Sequence, residues 1–211
     1  MKFILKYIAR QFGNPTGFGG NISTFIMNYL NQKQYKTVVA NLNIQATDTV
    51  LDAGFGNGYL LGKLSKQNLL KIYGVEISAD MINTAAKKNR KEIKLGTIQL
   101  LLSDVQNLPL EDFSIDKAYT INTIYFWKDI YKGLSEIKRT LKSDGLFLNV
   151  LYLKEWLDKL PITKYGFTKY TVEQIEKATV ESGLKIERIV EIQSKKSICI
   201  ISRKETLCLT K

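Results

Sequence analysis

Histidine is absent from the 211 residues, proline occurs three times and cysteine twice. Without imidazole there is no Ser-His-Asp or Cys-His nucleophile pair, no imidazole general base and no His-ligated zinc or iron. The cysteines, Cys199 and Cys208, stand apart from any metal-like cluster. Cys199 lies inside the apolar run Ser197 to Ser202 and reads as a small packing side chain. The N-terminal apolar run is broken at Lys6, so it does not read as a signal peptide. Two cysteines without an export signal predict a reducing cytoplasm. No run of about 18 apolar residues occurs, so no membrane span is expected. Arginine is also scarce: 26 lysines and 5 arginines make up the 31 basic residues against 20 acids, a formal charge of +11. Nucleic-acid sites favour arginine forks and clustered charge, whereas these lysines are scattered. A lysine-rich solvated surface is therefore the preferred reading, and a basic face for RNA or an acidic membrane the alternative.

What is present is an ordinary globular composition, 45% hydrophobic and 24% charged. This length can bury about 70% of its unfolded surface without staples. With few prolines and no low-complexity tract, one domain over 1–211 is expected. Phe3, Ile4, Tyr7, Ile8 and Phe12 fall on one helical face opposite Lys2, Lys6 and Arg10. This predicts a terminal helix packed on its own domain rather than a membrane-surface helix. A glycine-rich loop, Gly13 to Gly20, precedes a helix capped by Asn21 or Ser23 and running to about Gln34, then a second helix to Leu42. Residues 1–45 thus read as a helical cap.

From Thr49 the pattern alternates. Strands are expected at Thr49 to Asp52, Lys71 to Val75, Thr97 to Leu102, Ile115 to Ile121 and Gly145 to Leu153. Helices fall between them at Asn57 to Gln67, Ser78 to Asn89 and Lys128 to Leu141. After the segment 154–170 come a helix at Thr171 to Ser182 and two strands, Leu184 to Ile192 and Ser197 to Arg203, joined by a short polar turn. Strands alternating with helices predict right-handed crossovers and a mainly parallel sheet, and the last two strands must pair antiparallel. Ligands in such sheets bind at the carboxyl ends of the strands, at the switch in strand order.

The chemistry gathers at those ends. Asp52-Ala-Gly54-Phe55-Gly56-Asn-Gly58 follows the first strand directly and opens a helix. Glycines let the backbone turn tightly and approach a ligand, and the helix start favours negative groups. A dinucleotide fingerprint would need glycine where Tyr59 stands, and a phosphate loop would need Gly-Lys-Ser/Thr, which is missing. Three successive strands each deliver an acid near the carboxyl end: Asp52, Glu76 and Asp104. One can face a cationic amino-acid portion, one can accept both hydroxyls of a ribose, and one can accept from an exocyclic amine. Each alone is an ordinary strand-end acid; three in register beside a glycine turn point to one crevice.

With these residues in place, the chain resembles the class I S-adenosylmethionine-dependent methyltransferases, in particular small bacterial members with the ubiquinone-biosynthesis-type domain. The resemblance covers Thr49 to Leu153 and extends to the helix and hairpin at Thr171 to Arg203. It is carried by Thr49-Val-Leu-Asp-Ala-Gly-Phe-Gly-Asn-Gly58, Tyr73-Gly-Val-Glu76-Ile-Ser with Met81, Ser103-Asp104-Val105 with Leu108-Pro109, Ile115-Asp116 with Asn122 to Trp127, and Leu141-Lys-Ser-Asp-Gly145. Phe55 stands where the family often has cysteine, and Ser143 and Asp144 depart from the usual Pro-Gly-Gly. The resemblance implies a three-layer Rossmann-like α/β fold with a seven-stranded, mainly parallel sheet and an antiparallel C-terminal hairpin strand. It implies S-adenosylmethionine as methyl donor and no metal. Asp52, Gly54, Phe55, Gly56 and Gly58 would meet the methionine part, Glu76 the ribose, Ile77 and Met81 the adenine, and Asp104 with Val105 its amine edge.

The acceptor side is less marked. Asn122 and Tyr125 follow the fourth strand and are the catalytic-side candidates, while Phe126 is expected to pack under the next helix. The family's amide and nucleobase-amine methylators often carry two prolines after this Asn, and Asn122-Thr-Ile-Tyr125 has neither. The segment 154–170, with Trp156, Tyr165, Phe167 and Tyr170 among lysines, reads as an acceptor lid rather than a basic-aromatic RNA surface. Methyl transfer to a small-molecule acceptor is the leading expectation. Transfer to RNA or protein is the alternative, and a non-catalytic nucleotide-binding module the third.

Overall fold

The computed structural model describes residues 2–13, 28–67 and 69–205. The expected loop from residue 14 and most of the expected helix from Asn21 or Ser23 lie outside these residues, as does Cys208. Within them the helices are α1 (Lys2–Gly13), α2 (Gln32–Leu42), α3 (Tyr59–Leu64), α4 (Ala79–Lys88), α5 (Arg90–Lys94), α6 (Ile130–Thr140), α7 (Lys154–Leu157) and α8 (Val172–Glu181). The strands are β1 (Thr49–Ala53), β2 (Lys71–Glu76), β3 (Ile98–Leu102), β4 (Ile115–Ile121), β5 (Leu141–Tyr152), β6 (Leu184–Gln193) and β7 (Ser197–Lys204).

One seven-stranded sheet has the order β3-β2-β1-β4-β5-β7-β6, with only β7 running against its neighbours. The strand order reverses between β1 and β4, and both point their carboxyl ends at the same crevice. All five residues of β1 are buried, as a central strand covered on both faces requires. One face of the sheet packs Phe147, Ala118 and Leu151 against Leu134, Ile137 and Ile175 of α6 and α8. The other packs Val50, Leu148 and Val150 against Val38, Leu42, Leu61 and Ala85 of α2, α3 and α4. Cys199 is fully buried on this second face, and burial pushes its thiol up to about 12, as suits a packing residue.

Side-chain caps set several helix starts. Ser78 Oγ accepts from the Met81 amide at α4, Asp129 caps α6, and Thr171 with Gln174 forms a reciprocal capping box at α8. Three expectations shift. The helix expected over Asn57 to Gln67 spans only Tyr59–Leu64, because Gly58 still holds a left-handed φ of 70°. Beyond Asn89, helix resumes as the short α5. The turn expected at Leu141 to Gly145 is absorbed into β5 as an irregularity, with Asp144 at a φ of 59° and a register shift against Ile115 and Lys117.

Candidate active site

The strand ends open into a cavity of about 420 Å³. Its floor is the glycine turn after β1. Gly54, Gly56 and Gly58 have φ values of 88°, 59° and 70°, a region that favours glycine. A Cβ on Gly54 would collide with the Thr123 side chain, which fixes how closely the turn approaches β4. A Cβ on Gly56 would meet nothing within 4 Å, since that residue faces the open cavity.

Glu76 ties this turn to the end of β2. Its Oε2 accepts from the Gly56 amide at 3.0 Å, and its Oε1 accepts from Ile77 and Ser78 at 2.8 and 3.0 Å. Burial raises its pKa, and these three amides oppose the shift. Asp52 lies 4% exposed at the end of β1. It accepts from the Tyr119 hydroxyl at 2.6 Å. Burial pushes Asp52 up to about 8; the Tyr119 hydrogen bond opposes that rise and the Glu76 charge adds to it. Asp104 caps a single 3₁₀ turn, Val105–Asn107, accepting from the Gln106 amide at 2.9 Å and from its side chain at 3.1 Å. Gln106 in turn accepts from the Asp129 amide at 2.7 Å, which links the third acid to the start of α6.

The remaining wall stands on β4 and on α1. Asn122 has a φ of 58° and donates from Nδ2 to Asn31 Oδ1 at 3.0 Å. Its Oδ1 is buried without a partner. Asn31, Asn28, Tyr35 and Asn57 extend this amide-rich wall: Asn28 accepts from the Tyr35 hydroxyl at 2.8 Å and donates to Asn57 at 3.1 Å. Phe126 and Trp127 complete it, with Trp127 Nε1 donating to Thr123 Oγ1 at 3.2 Å. The roof is the last turn of α1. Phe12 meets Phe167 edge-on at 6.3 Å, and Phe167 meets Phe126 at 4.7 Å.

The structure brings Asp52, Gly54, Phe55, Gly56, Glu76, Ile77, Asp104, Val105 and Asn122 to this one cavity. Ile77 is 51% exposed and free to cover a flat ligand. Three of the expected residues lie outside the lining. Gly58 is buried outside the lining, where a Cβ would strike Ala85 and Asn89; it lets α3 pack on α4. Met81 is fully buried in α4 and does not line the cavity. Tyr125 is 2% exposed and points away: its hydroxyl donates to the Tyr152 carbonyl at 3.1 Å and accepts from the Tyr152 amide. Burial raises its pKa, and Tyr152 takes both hydrogen-bonding roles of the hydroxyl. The turn Ile124–Phe126 is 3₁₀, with about 120° between successive side chains, and it turns Phe126 rather than Tyr125 to the cavity.

Sequence reasoning missed Asn28, Asn31, Tyr35 and the α1 residues Ala9 to Gly13. The apolar periodicity of α1 was a signal for packing, but nothing local marked what it packs on. Of 154–170, Gly166 alone among the described residues lines the cavity; Phe167 backs Phe126 from behind, Lys6 lies 5.8 Å over Tyr165, and Lys196 lies 4.4 Å over Trp156. Among the described residues no group of three or more Cys, Asp or Glu side chains is gathered as metal ligands, and no helix is long and apolar enough to cross a membrane.

Comparison with known proteins agrees with this geometry. A family model described as a methyltransferase domain matches residues 51–149, the stretch from β1 through most of β5. An uncharacterized methyltransferase of Bacillus subtilis, YdaC, is 26% identical over 189 residues, covering 87% of this chain and 98% of its own. A ubiquinone/menaquinone biosynthesis C-methyltransferase of Citrifermentans bemidjiense is 25% identical over 150 residues, 70% of this chain and 63% of that protein. Among solved structures, a SAM-dependent methyltransferase from Aquifex aeolicus superposes with a TM-score of 0.71 at 25% identity, covering 84% of this chain and 93% of that one. Fold, strand-end acids and relatives thus converge, and together they support a class I S-adenosylmethionine-dependent methyltransferase.

Proposed function

We propose that this methyltransferase acts on a small-molecule acceptor held between the glycine turn and the wall of Asn122, Phe126 and Trp127. The observation that carries the reading is the cavity itself: donor-side acids and acceptor-side wall line one roofed space. Glu76 would accept the ribose hydroxyls on carboxylate lone pairs left free by its three amides. Asp104 would accept from the adenine amine, with Ile77 and Val105 beside the ring. Gly54 and Gly56 would present backbone to the methionine part, and Asp52 would face its cationic end. When bound, S-adenosylmethionine supplies a methyl group activated by its sulfonium.

The chain's own contribution is orientation and dryness. Displacement at a sulfonium releases a neutral group, so little oxyanion stabilisation is needed. Alignment of two reactants can supply about 7–11 kcal/mol. Phe126, Trp127 and Phe12 exclude water from the acceptor side. Asn122 Oδ1, buried and unpartnered, would accept a hydrogen bond from an acceptor O–H or N–H and so fix its approach. A metal has no part in this scheme. The relative that acts in quinone biosynthesis is a C-methyltransferase, which supports a small organic acceptor here too.

The formal charge of +11 favours a second reading, transfer to RNA. Calorimetric titration with S-adenosylmethionine, S-adenosylhomocysteine and NAD comes first, with micromolar binding of the first two and none of NAD expected. RNA titrations at rising salt follow. Attraction by scattered lysines fades near physiological salt. Tight, salt-resistant, structure-selective binding would overturn the small-molecule reading.

A further inference from the structure

Charge around the cavity is sorted. Asp52, Glu76 and Asp104 stand at the ends of the strand side β1-β2-β3. Arg10, an exposed residue, is the one basic residue among the described residues that line the space. It projects from the last turn of α1, next to Phe12 and Gly13, which sit against Phe167 and Phe126. No carboxylate pairs with it among the described residues. The stretch 14–27 that follows contains no Asp or Glu, so it has no carboxylate to offer either. Lys6, one turn earlier on α1, is engaged over the Tyr165 ring. A helix C-terminus favours a cation by less than about 1 kcal/mol at an exposed site and does not require it to line a cavity.

We propose that Arg10 is a specificity-determining residue that binds an anionic group, carboxylate or phosphate, on the acceptor, while Asn122 Oδ1 accepts from a donor nearer the reacting atom. This rests on the small-molecule reading above and narrows it to acidic acceptors. A guanidinium fork matches both anions in bidentate fashion, which lysine does not. The cofactor's own carboxylate is the competing claimant for Arg10, and the two claims separate by measurement.

The full chain is saturated with S-adenosylhomocysteine and titrated calorimetrically with benzoate and with inorganic pyrophosphate at 0.15 M salt, which screens surface lysines. At least one probe is expected to bind, about tenfold or more weaker in Arg10→Gln and intermediate in Arg10→Lys. S-adenosylhomocysteine affinity should stay within about twofold in both variants, and the surface change Lys63→Gln should leave probe binding as it is. A fall in S-adenosylhomocysteine affinity in Arg10→Gln would assign Arg10 to the cofactor and overturn the proposal. Equal probe binding by wild type and variant would overturn it too, as would no probe binding to the wild type. Salt-resistant RNA binding, measured separately, would instead strike at the small-molecule reading on which it rests.

Discussion

The two ends of the cavity are built in different ways. The end proposed for the donor stands on three adjacent strand termini and one glycine turn, where backbone geometry dictates which way the acids point. Glu76 is held by three amides and Asp104 by two donors of Gln106. The end proposed for the acceptor is assembled from α1, the amides around Asn31, the end of β4 and one glycine of a distant segment. Its members are linked by single side-chain hydrogen bonds and by ring contacts. The first end is fixed by the sheet and the second by packing, so the same fold can keep its donor while the acceptor changes.

The sharpest break of this contrast is Glu76→Ala. It removes the acceptor of three amides at once, at about 1–3 kcal/mol for each donor left buried and unpaired. Affinity for S-adenosylhomocysteine should fall more than about 100-fold, and the melting temperature should drop as well. An affinity within a few-fold of wild type would show that the glycine turn, and not the carboxylate, holds the ribose.

Asp52 gives the next effect, and its sign follows from burial. Its pKa is raised from 3.8 to about 8, so between those values the folded chain keeps a proton that the unfolded chain has released. Stability contributed by that proton is full below the unfolded value and is lost as pH rises through the folded one, at up to about 1.4 kcal/mol per pH unit. Melting temperatures from pH 5 to pH 8 should therefore decline, and Asp52→Asn should flatten the decline. Glu76 shifts in the same direction and remains in the variant. An identical slope in Asp52→Asn would mean that Asp52 is ionised throughout.

Asp104→Ala comes third. Losing a charged hydrogen bond costs about 1.5–3 kcal/mol, which is roughly 10- to 150-fold in cofactor affinity. Asp104 also holds Gln106, whose side chain accepts from the Asp129 amide, so a small loss of stability at the start of α6 should accompany it. Unchanged cofactor affinity would remove Asp104 from the adenine edge.

The same contrast explains what could be read beforehand. Strand ends are legible because alternation and turn residues locate them, and an acid one step beyond is then placed by the period of the strand. The placement of Asp52, Glu76 and Asp104 at one crevice needs nothing else. Gly58 and Met81 stand in motifs that the resemblance places at the donor, whereas the packing of α3 on α4 and the burial of Met81 keep them out of the lining. Asn31 and Asn122 are 91 positions apart, and no local pattern announces that their amides meet. Nor does the sequence distinguish a 3₁₀ turn from another after β4, which is why Tyr125 and Phe126 exchange places, Phe126 facing the cavity.

That exchange supplies the smallest expected effect. In Tyr125→Phe the ring still fills its place against Phe126 and Phe167. Only the hydroxyl goes, leaving the Tyr152 amide and carbonyl without that partner. A lost buried hydrogen bond of this kind costs about 1 kcal/mol of stability. Binding of S-adenosylhomocysteine should be unchanged, and methyl transfer to any acceptor found by screening with labelled donor should stay within about threefold of wild type. Because the phenol is held far up in pKa by burial, the pH dependence of transfer should not move either. Phe126→Ala is the paired measurement: it opens the acceptor wall and should raise the acceptor KM while sparing the donor. A large loss of turnover in Tyr125→Phe, with the fold intact, would return the phenol to the reaction and would mean that the turn after β4 rearranges when an acceptor enters.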